Sequence, residues 1–443
     1  MIYFTRPLFH YFLFLNLFLA IGCNSDSDTL LNAISVSEKP QVEIQQPGEE
    51  SEEIAVDTVE TIINETINNK LPQITIKNTE ELIRELVSDR NLYLLPGNYK
   101  LSSTVYLTDI HNLNVSGADG AVITGDLITL LQFRGATKSI TFKNIGFNST
   151  STYTAEDYGA GIVYFDGSFE DILFENCEFT CPNVVSNGLK FVSQGASRSK
   201  NITIYKCNFH DIGRMGFETQ NHNYDGIARI TDVKVTVCNF ERLGTASQYG
   251  MAVSVSGAGK NATISNNIIV DAKDRGIENV GWSNITITNN TFSSPNTAYE
   301  PITCQKDKGD LIDPYILNIE ISGNKGTVNG SEHNLLEIFD CDGLKFFHND
   351  FHSGSLHLKN TINSEFTNNV HDFDGSIGLF VESNSSYNIF TGNTFIVTLD
   401  HATTAVFYPS ATGNTLSGNT LIKKGQGGYI YNDMDGGNKN SGQ

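Results

Sequence analysis

A column of asparagines and cysteines constrains this chain more than any other feature. Cys177, Cys207, Cys238, Asn267, Asn290, Asn324, Asn349, Asn369, Asn393 and Asn419 recur at intervals of 20 to 34 residues. Most stand in one local phrase: an alternating strand, the column residue, then an apolar residue two places on. Asn201-Ile-Thr-Ile-Tyr-Lys-Cys207-Asn-Phe209 and Asn284-Ile-Thr-Ile-Thr-Asn-Asn290-Thr-Phe292 are examples. A repeat this long, with strand signals in each copy and no helix between copies, predicts an all-β solenoid. Its coils would sit about 4.8 Å apart, so that inward side chains stack. Asparagine suits a sharp corner in such a stack because its amide bonds both backbone and its counterparts above and below.

The start of the repeat region carries a cap. Pro72-Gln-Ile-Thr-Ile-Lys-Asn78 reads as a short strand and Asn78-Thr-Glu-Glu81 as a capping box. Leu82, Ile83, Leu86 and Val87 follow on one expected helical face, and a strand broken by Pro96-Gly97 comes next. This order resembles the amino-terminal cap of right-handed parallel β-helix proteins of the pectin-lyase-like superfamily, over roughly residues 71–431. The resemblance implies a right-handed parallel β-helix of about 11–12 coils with an amino-terminal capping helix. It is specific for architecture, since the superfamily hosts lyases, hydrolases, epimerases and phage tail fibres. The phrases of polygalacturonases, alginate epimerases and pectate lyases are not found, so the resemblance transfers no catalytic residue.

Residues 1–22 read as a signal peptide: Arg6 precedes an apolar run from Phe12 to Ile21 that is short for a membrane span. Leu19-Ala-Ile-Gly-Cys23 resembles a bacterial lipobox, which implies lipid attachment at Cys23. Asn24-Ser-Asp-Ser-Asp28 is similar to the export tags of surface lipoproteins of the Bacteroidetes. That likeness implies an outward-facing position on the outer membrane, with the lipid as the only membrane contact. Residues 23–70 hold eleven acidic residues against Lys39 and Lys70, a composition that cannot bury enough surface to order itself. They are expected to form a tether, and the Gly/Asn-rich stretch 432–443 a flexible tail.

The whole chain carries a formal charge of −21. With leader and tether gone, including Arg6, about −13 remains on the folded part. That balance excludes a nucleic-acid partner, which demands a basic stripe, and leaves an extracellular polysaccharide as the expected partner of a monomer. The six cysteines after Cys23 show neither a CxxC nor zinc spacing, and read as small apolar packing.

A β-helix offers its exterior to ligands. A second strand in each coil aligns as Gly188-Leu-Lys-Phe191, Gly216-Phe-Glu-Thr219, Gly250-Met-Ala-Val253, Gly276-Ile-Glu-Asn279, Pro301-Ile-Thr-Cys304 and Leu336-Glu-Ile338. Alternation sends Leu189, Phe217, Met251, Ile277 and Ile302 inward. The outward row then reads Lys190, Glu218, Ala252, Glu278, Thr303, Glu337.

Glu218 and Glu278, two coils apart, suit glycoside hydrolysis, one as acid and the other activating water. Lys190, Gln220, His222, Tyr249, Ser254, Lys273, Arg275 and Trp282 are the expected substrate-binding residues around them. The rival chemistry is β-elimination from a uronate. There Arg275, Arg214 or Ca²⁺ neutralises the carboxyl group and Lys190, His222, Lys273 or Tyr249 moves the proton. Asp271 and Asp274 are then candidate Ca²⁺ ligands, whereas hydrolysis requires no cofactor. A third class is a lipoprotein that holds glycan without cutting it.

Overall fold

A computed structural model describes residues 71–441 apart from 157–158, 224, 308–312, 329–335 and 353. The leader, Cys23 and the acidic tether lie outside the described residues. The chain winds as a right-handed parallel β-helix. Each coil lays down three strands in turn, here named front, flank and rear. In one coil these are Asn187–Ser193, Ser199–Tyr205 and Asn208–Ile212. Every coil pairs in parallel with the next, for example Leu189 with Phe217, Ile202 with Val233 and Phe209 with Phe240. Among the described residues the rear sheet has thirteen strands, slightly more than the 11–12 coils expected from the repeat. Front and flank strands merge into one hydrogen-bonded sheet of 24 strands. The merger is made by four long strands that turn the corner unbroken: Leu131–Lys143, Gly161–Glu175, Met251–Ser265 and Arg275–Thr288.

The interior is a stack of apolar side chains, one per coil per row. Phe147, Phe179, Phe209 and Phe240 lie face to face along the rear sheet with centroids 4.6–5.1 Å apart. Phe133, Phe165 and Phe191 do the same along the front, at 4.3 and 4.6 Å.

The first coil is closed by α1 (Thr79–Glu85). The Asn78 side chain accepts from Glu81 N at 2.9 Å, the first bond of the expected capping box, while the Glu81 carboxylate reaches one residue further back and accepts from Lys77 N at 2.8 Å. Leu82 and Leu86 cover the open coil, but Ile83 and Val87 do not join them: they are 45% and 38% exposed. A helix of seven residues presents one stripe to the coil beneath it, and those two positions lie beside that stripe.

The asparagine column forms a continuous ladder. Asn267 Nδ2 donates to Val235 O and to Asn290 Oδ1, both at 2.9 Å, and the same Oδ1 accepts from Asn267 N at 3.0 Å. The same three bonds repeat at Asn290, Asn324, Asn349, Asn369 and Asn393, ending on Asn419. Each buried corner amide is thereby satisfied. In the earlier coils the Cys177, Cys207 and Cys238 thiols occupy the slot and donate to Phe142, Phe174 and Ile204 carbonyls. All six described cysteines are free and buried.

A second ladder, not foreseen from sequence, runs down the front–flank corner through Ser364, Asn388, Asn414 and Asn438. It carries the stack into the stretch where a flexible tail was expected. Tyr431–Asp433 pairs with the front strand before it and Lys439–Ser441 with the flank strand. Glycine and asparagine there serve corners rather than disorder.

The residue preceding each ladder position turns the corner in the left-handed region. Asn, Gly, His or Lys fills it in most coils, but in one it is Val237, at φ 59° and 41% exposed. A β-branched side chain there is strained, by about 1–2 kcal/mol relative to a residue that visits this region readily. Val237→Asn is therefore expected to stabilise the protein by about 1 kcal/mol; a denaturation midpoint that stays put or falls would count against the strain.

Candidate functional site

Strand register puts one outward row on the front face: Lys190, Glu218, Ser254, Glu278, Thr303, Glu337, His357, Phe380 and Val406. Glu218 and Glu278 thus project from the same wall, two rungs or roughly 9.6 Å apart by backbone. The rung between them is Ser254, not Ala252. Phe217 pairs with Val253, and Ala252 is buried in the core.

The two-residue slip has a steric cause. A Cβ on Gly250 would lie 2.4 Å from Leu243 O, so this glycine closes the corner loop instead of opening the strand. The strand's small residue is one that faces a rear-sheet ring. A Cβ at Gly188, Gly216 or Gly276 would stand 2.7–2.8 Å from Phe209, Phe240 or Phe292. In the coil between the last two the rear residue is Ile269, and that coil has room for the methyl of Ala252.

Glu218 is not an open carboxyl group. It is 3% exposed, and its Oε2 accepts from Asn187 Nδ2 at 2.6 Å, Lys190 Nζ at 2.7 Å and Arg214 at 3.2 Å. Arg214 also donates to Asn187 Oδ1 at 3.0 Å. Burial alone would raise the Glu218 pKa, but Lys190 and Arg214 outweigh it and hold the group below the ordinary carboxylate range. Glu218 is an ionised strut, and Lys190, wholly buried beside it on the neighbouring rung, is no substrate contact. Both expectations are corrected on that ground.

Glu278 and a carboxyl group overlooked in the sequence, Glu300, share one guanidinium. Arg275 donates to Glu278 Oε1 at 2.9 Å and to Glu300 Oε2 at 3.2 Å, and lies 3.5 Å from Asp274 Oδ2. Ser254 Oγ donates to Glu278 Oε2 at 2.7 Å and Thr303 Oγ1 to Glu300 Oε2 at 3.1 Å. Burial works against the charge on Arg275, yet Glu278, Asp274, Glu300 and Glu337 hold its pKa above the ordinary range. For Glu300, burial and the nearby Glu337 win over Arg275 and push its pKa up to about 7. Its side chain remains 19% exposed, so a carboxyl group that titrates near neutrality meets solvent beside the guanidinium it shares with Glu278.

The remaining candidates divide. Gln220 and Ser256 are half-buried, outward and paired in register. Tyr249 lies half-buried with the Arg214 guanidinium 5.9 Å from its ring centre. Lys273 and His222 are exposed, at the corners where the chain enters and leaves the front sheet. Trp282 is corrected: it is fully buried, with its indole packed where any side chain at Gly259 would stand, and cannot stack on a sugar. Asp271 is corrected as a metal candidate, because Asn296 N, Thr297 N and Asn296 Nδ2 occupy its two oxygens. Asp274 is tied to Arg275, and burial raises its pKa. Among the described residues no group of three or more His, Cys, Asp or Glu is placed to hold a metal ion.

Comparison with known proteins agrees with the architecture. The family model described as right handed beta helix region matches residues 195–292. The Agl-KA catalytic domain is similar in structure at TM-score 0.53 and 13% identity, covering 82% of this chain and 65% of that one. A tailspike protein of E. coli bacteriophage HK620, solved with a pentasaccharide, follows at 0.50 and 12%, covering 83% and 74%. Gene product 12 of bacteriophage phi29 stands at 0.53 and 12%, covering 76% and 52%. At such identities the likeness is one of fold alone. No curated protein sequence matches the chain. The chain therefore shares the right-handed parallel β-helix fold with these proteins, and its chemistry must be argued from its own front face.

Proposed function

We propose that this is a glycan-active protein whose front face hydrolyses an extracellular polysaccharide, with Glu300 as proton donor and Glu278 as the second carboxyl group. The observation that carries the reading is the pairing of these two groups on Arg275, one held protonated near neutrality and the other held by a guanidinium and a serine hydroxyl. A carboxyl group able to donate a proton, set beside a second carboxyl group, is what acid-assisted glycoside cleavage requires. Glu218, which the sequence suggested for this work, is instead engaged by Lys190, Arg214 and Asn187 at the buried end of the row. Uronate elimination is less favoured, because it needs cations for the substrate carboxylate. Lys190 and Arg214 are engaged with Glu218, and Arg275 with three carboxyl groups. The acidic tether and the lipobox-like Cys23 support a place on the outer face of the outer membrane.

The purified mature protein, incubated with a polysaccharide panel with and without chelator, is expected to release reducing ends without absorbance near 235 nm. Absorbance that chelator abolishes would replace the hydrolase with a Ca²⁺-dependent lyase. Because Glu300 donates only when protonated, kcat/KM is expected to fall as pH rises through about 7. Glu300→Gln should cost at least about a hundredfold in kcat.

A further inference from the structure

The flank sheet shows what an ordinary outward row looks like here: Thr203, Lys234, Thr263, Thr286, Glu320 and Lys345, in register. The front row departs from this pattern beyond Glu337. His357 lies flat on Phe380, with centroids 4.4 Å apart and planes 12° apart. Phe339 meets the edge of His357 at 4.8 Å and Tyr408 leans on Phe380 at 4.9 Å. Phe339, Phe380 and Tyr408 are half-buried. Flat stacking covers the ring faces, so the strip offers solvent its apolar edges. Its polar rim is Glu382, 3.2 Å from Lys359 Nζ and 3.4 Å from His357 Nε2.

We infer that the front face binds an uncharged glycan lying along the helix axis, from Glu278 across His357 and Phe380 to Tyr408. The inference rests on the glycan reading above and adds to it the path and the charge class of the chain. The path follows from register: Glu278, Thr303, Glu337, His357, Phe380 and Val406 occupy consecutive rungs. They span five steps of about 4.8 Å, roughly 24 Å in all, room for several sugar rings laid end to end. An apolar floor with a few polar groups on its rim is what a sugar chain uses, burying its C–H faces while its hydroxyl groups bond at the sides.

The charge class follows from the acid cluster. Asp274, Glu278, Glu300 and Glu337 surround the single guanidinium of Arg275. A polyuronate threaded past them would set its carboxylates against Glu278, Glu337 and Asp274 at this end of the path, whereas a neutral chain would not.

The test is native affinity electrophoresis in gels cast with neutral galactomannan, mixed-linkage β-glucan or arabinoxylan, or with polygalacturonate or alginate. It is run in the Glu300→Gln background so that no chain is cut. Retention by at least one neutral polysaccharide is expected, weakened about tenfold by Phe380→Ala and kept by Phe380→Tyr, with no retention by the two polyuronates. Thermal unfolding of each variant checks that the coils stay folded. Equal retention of the Phe380→Ala protein would remove the aromatic strip from the path. Retention confined to polyuronates would overturn the charge class and leave a glycan site standing. No retention in any gel would overturn this inference together with the reading on which it rests.

Discussion

Replacing Lys190 by methionine is expected to destabilise the protein by about 3–5 kcal/mol, as is Glu218→Gln. Lys190 has no solvent exposure and Glu218 almost none, so neither partner can turn to water when the other is neutralised. Losing Lys190 leaves Glu218 to Arg214 and Asn187, and losing the Glu218 charge leaves two buried cations side by side. The double variant should cost less than the sum of the two by about 1–3 kcal/mol, since the charge of Lys190 and the charge of Glu218 then go together. Chemical denaturation of the four proteins measures this directly, and unshifted midpoints would show that the triad holds nothing together. The same experiment separates support from chemistry. Glu218→Gln should lose activity together with stability, and Glu300→Gln should lose activity while unfolding close to the wild type.

The second large effect is an acid weakness in the core. His371 occupies a slot in the rear-sheet stack between Phe351 and Phe395, wholly buried, with no hydrogen-bond partner for either ring nitrogen. Burial, helped slightly by His352, pushes its pKa down to about 3. The unfolded chain takes up the proton near pH 6.5 and the folded one does not until about pH 3. Stability attached to this group is therefore full above about pH 6.5 and drains away as pH falls towards 3, by up to roughly 5 kcal/mol. His371→Phe keeps the stacking and removes the titration. Its advantage over wild type in unfolding free energy should widen across that window, and a constant difference from pH 7 to pH 3 would refute the assignment.

The scaffold was legible because its corners repeat: an amide that must bond the coils above and below leaves its mark at regular intervals. The capping box was legible for the same local reason. What failed was the matching of loops to strands. Gly250 looks like Gly188, Gly216 and Gly276 in the sequence, yet it serves a corner. Only the packing against Leu243 and the substitution of Ile269 for a phenylalanine reveal the slip. Trp282 was misplaced because its partner is an absence, the missing side chain of Gly259 one rung away. Glu300 escaped notice since it stands before Pro301 at the head of its strand, and its bond to Arg275 spans 25 residues. The second ladder had the same spacing as the first, in Asn388, Asn414 and Asn438, but serine at its start broke the pattern.

The four strands that pass from front to flank without interruption have a mechanical consequence. Three of them, Gly161–Glu175, Met251–Ser265 and Arg275–Thr288, pair directly with or themselves carry the strands bearing Lys190, Ser254 and Glu278. The ground under the carboxyl groups is thus a plate bent at left-handed glycines, Gly167, Gly257 and Gly281, whose hydrogen-bond ladder carries on past the corner. A load applied to the front strands is thereby passed along the chain to the flank strands rather than stopping at a loop.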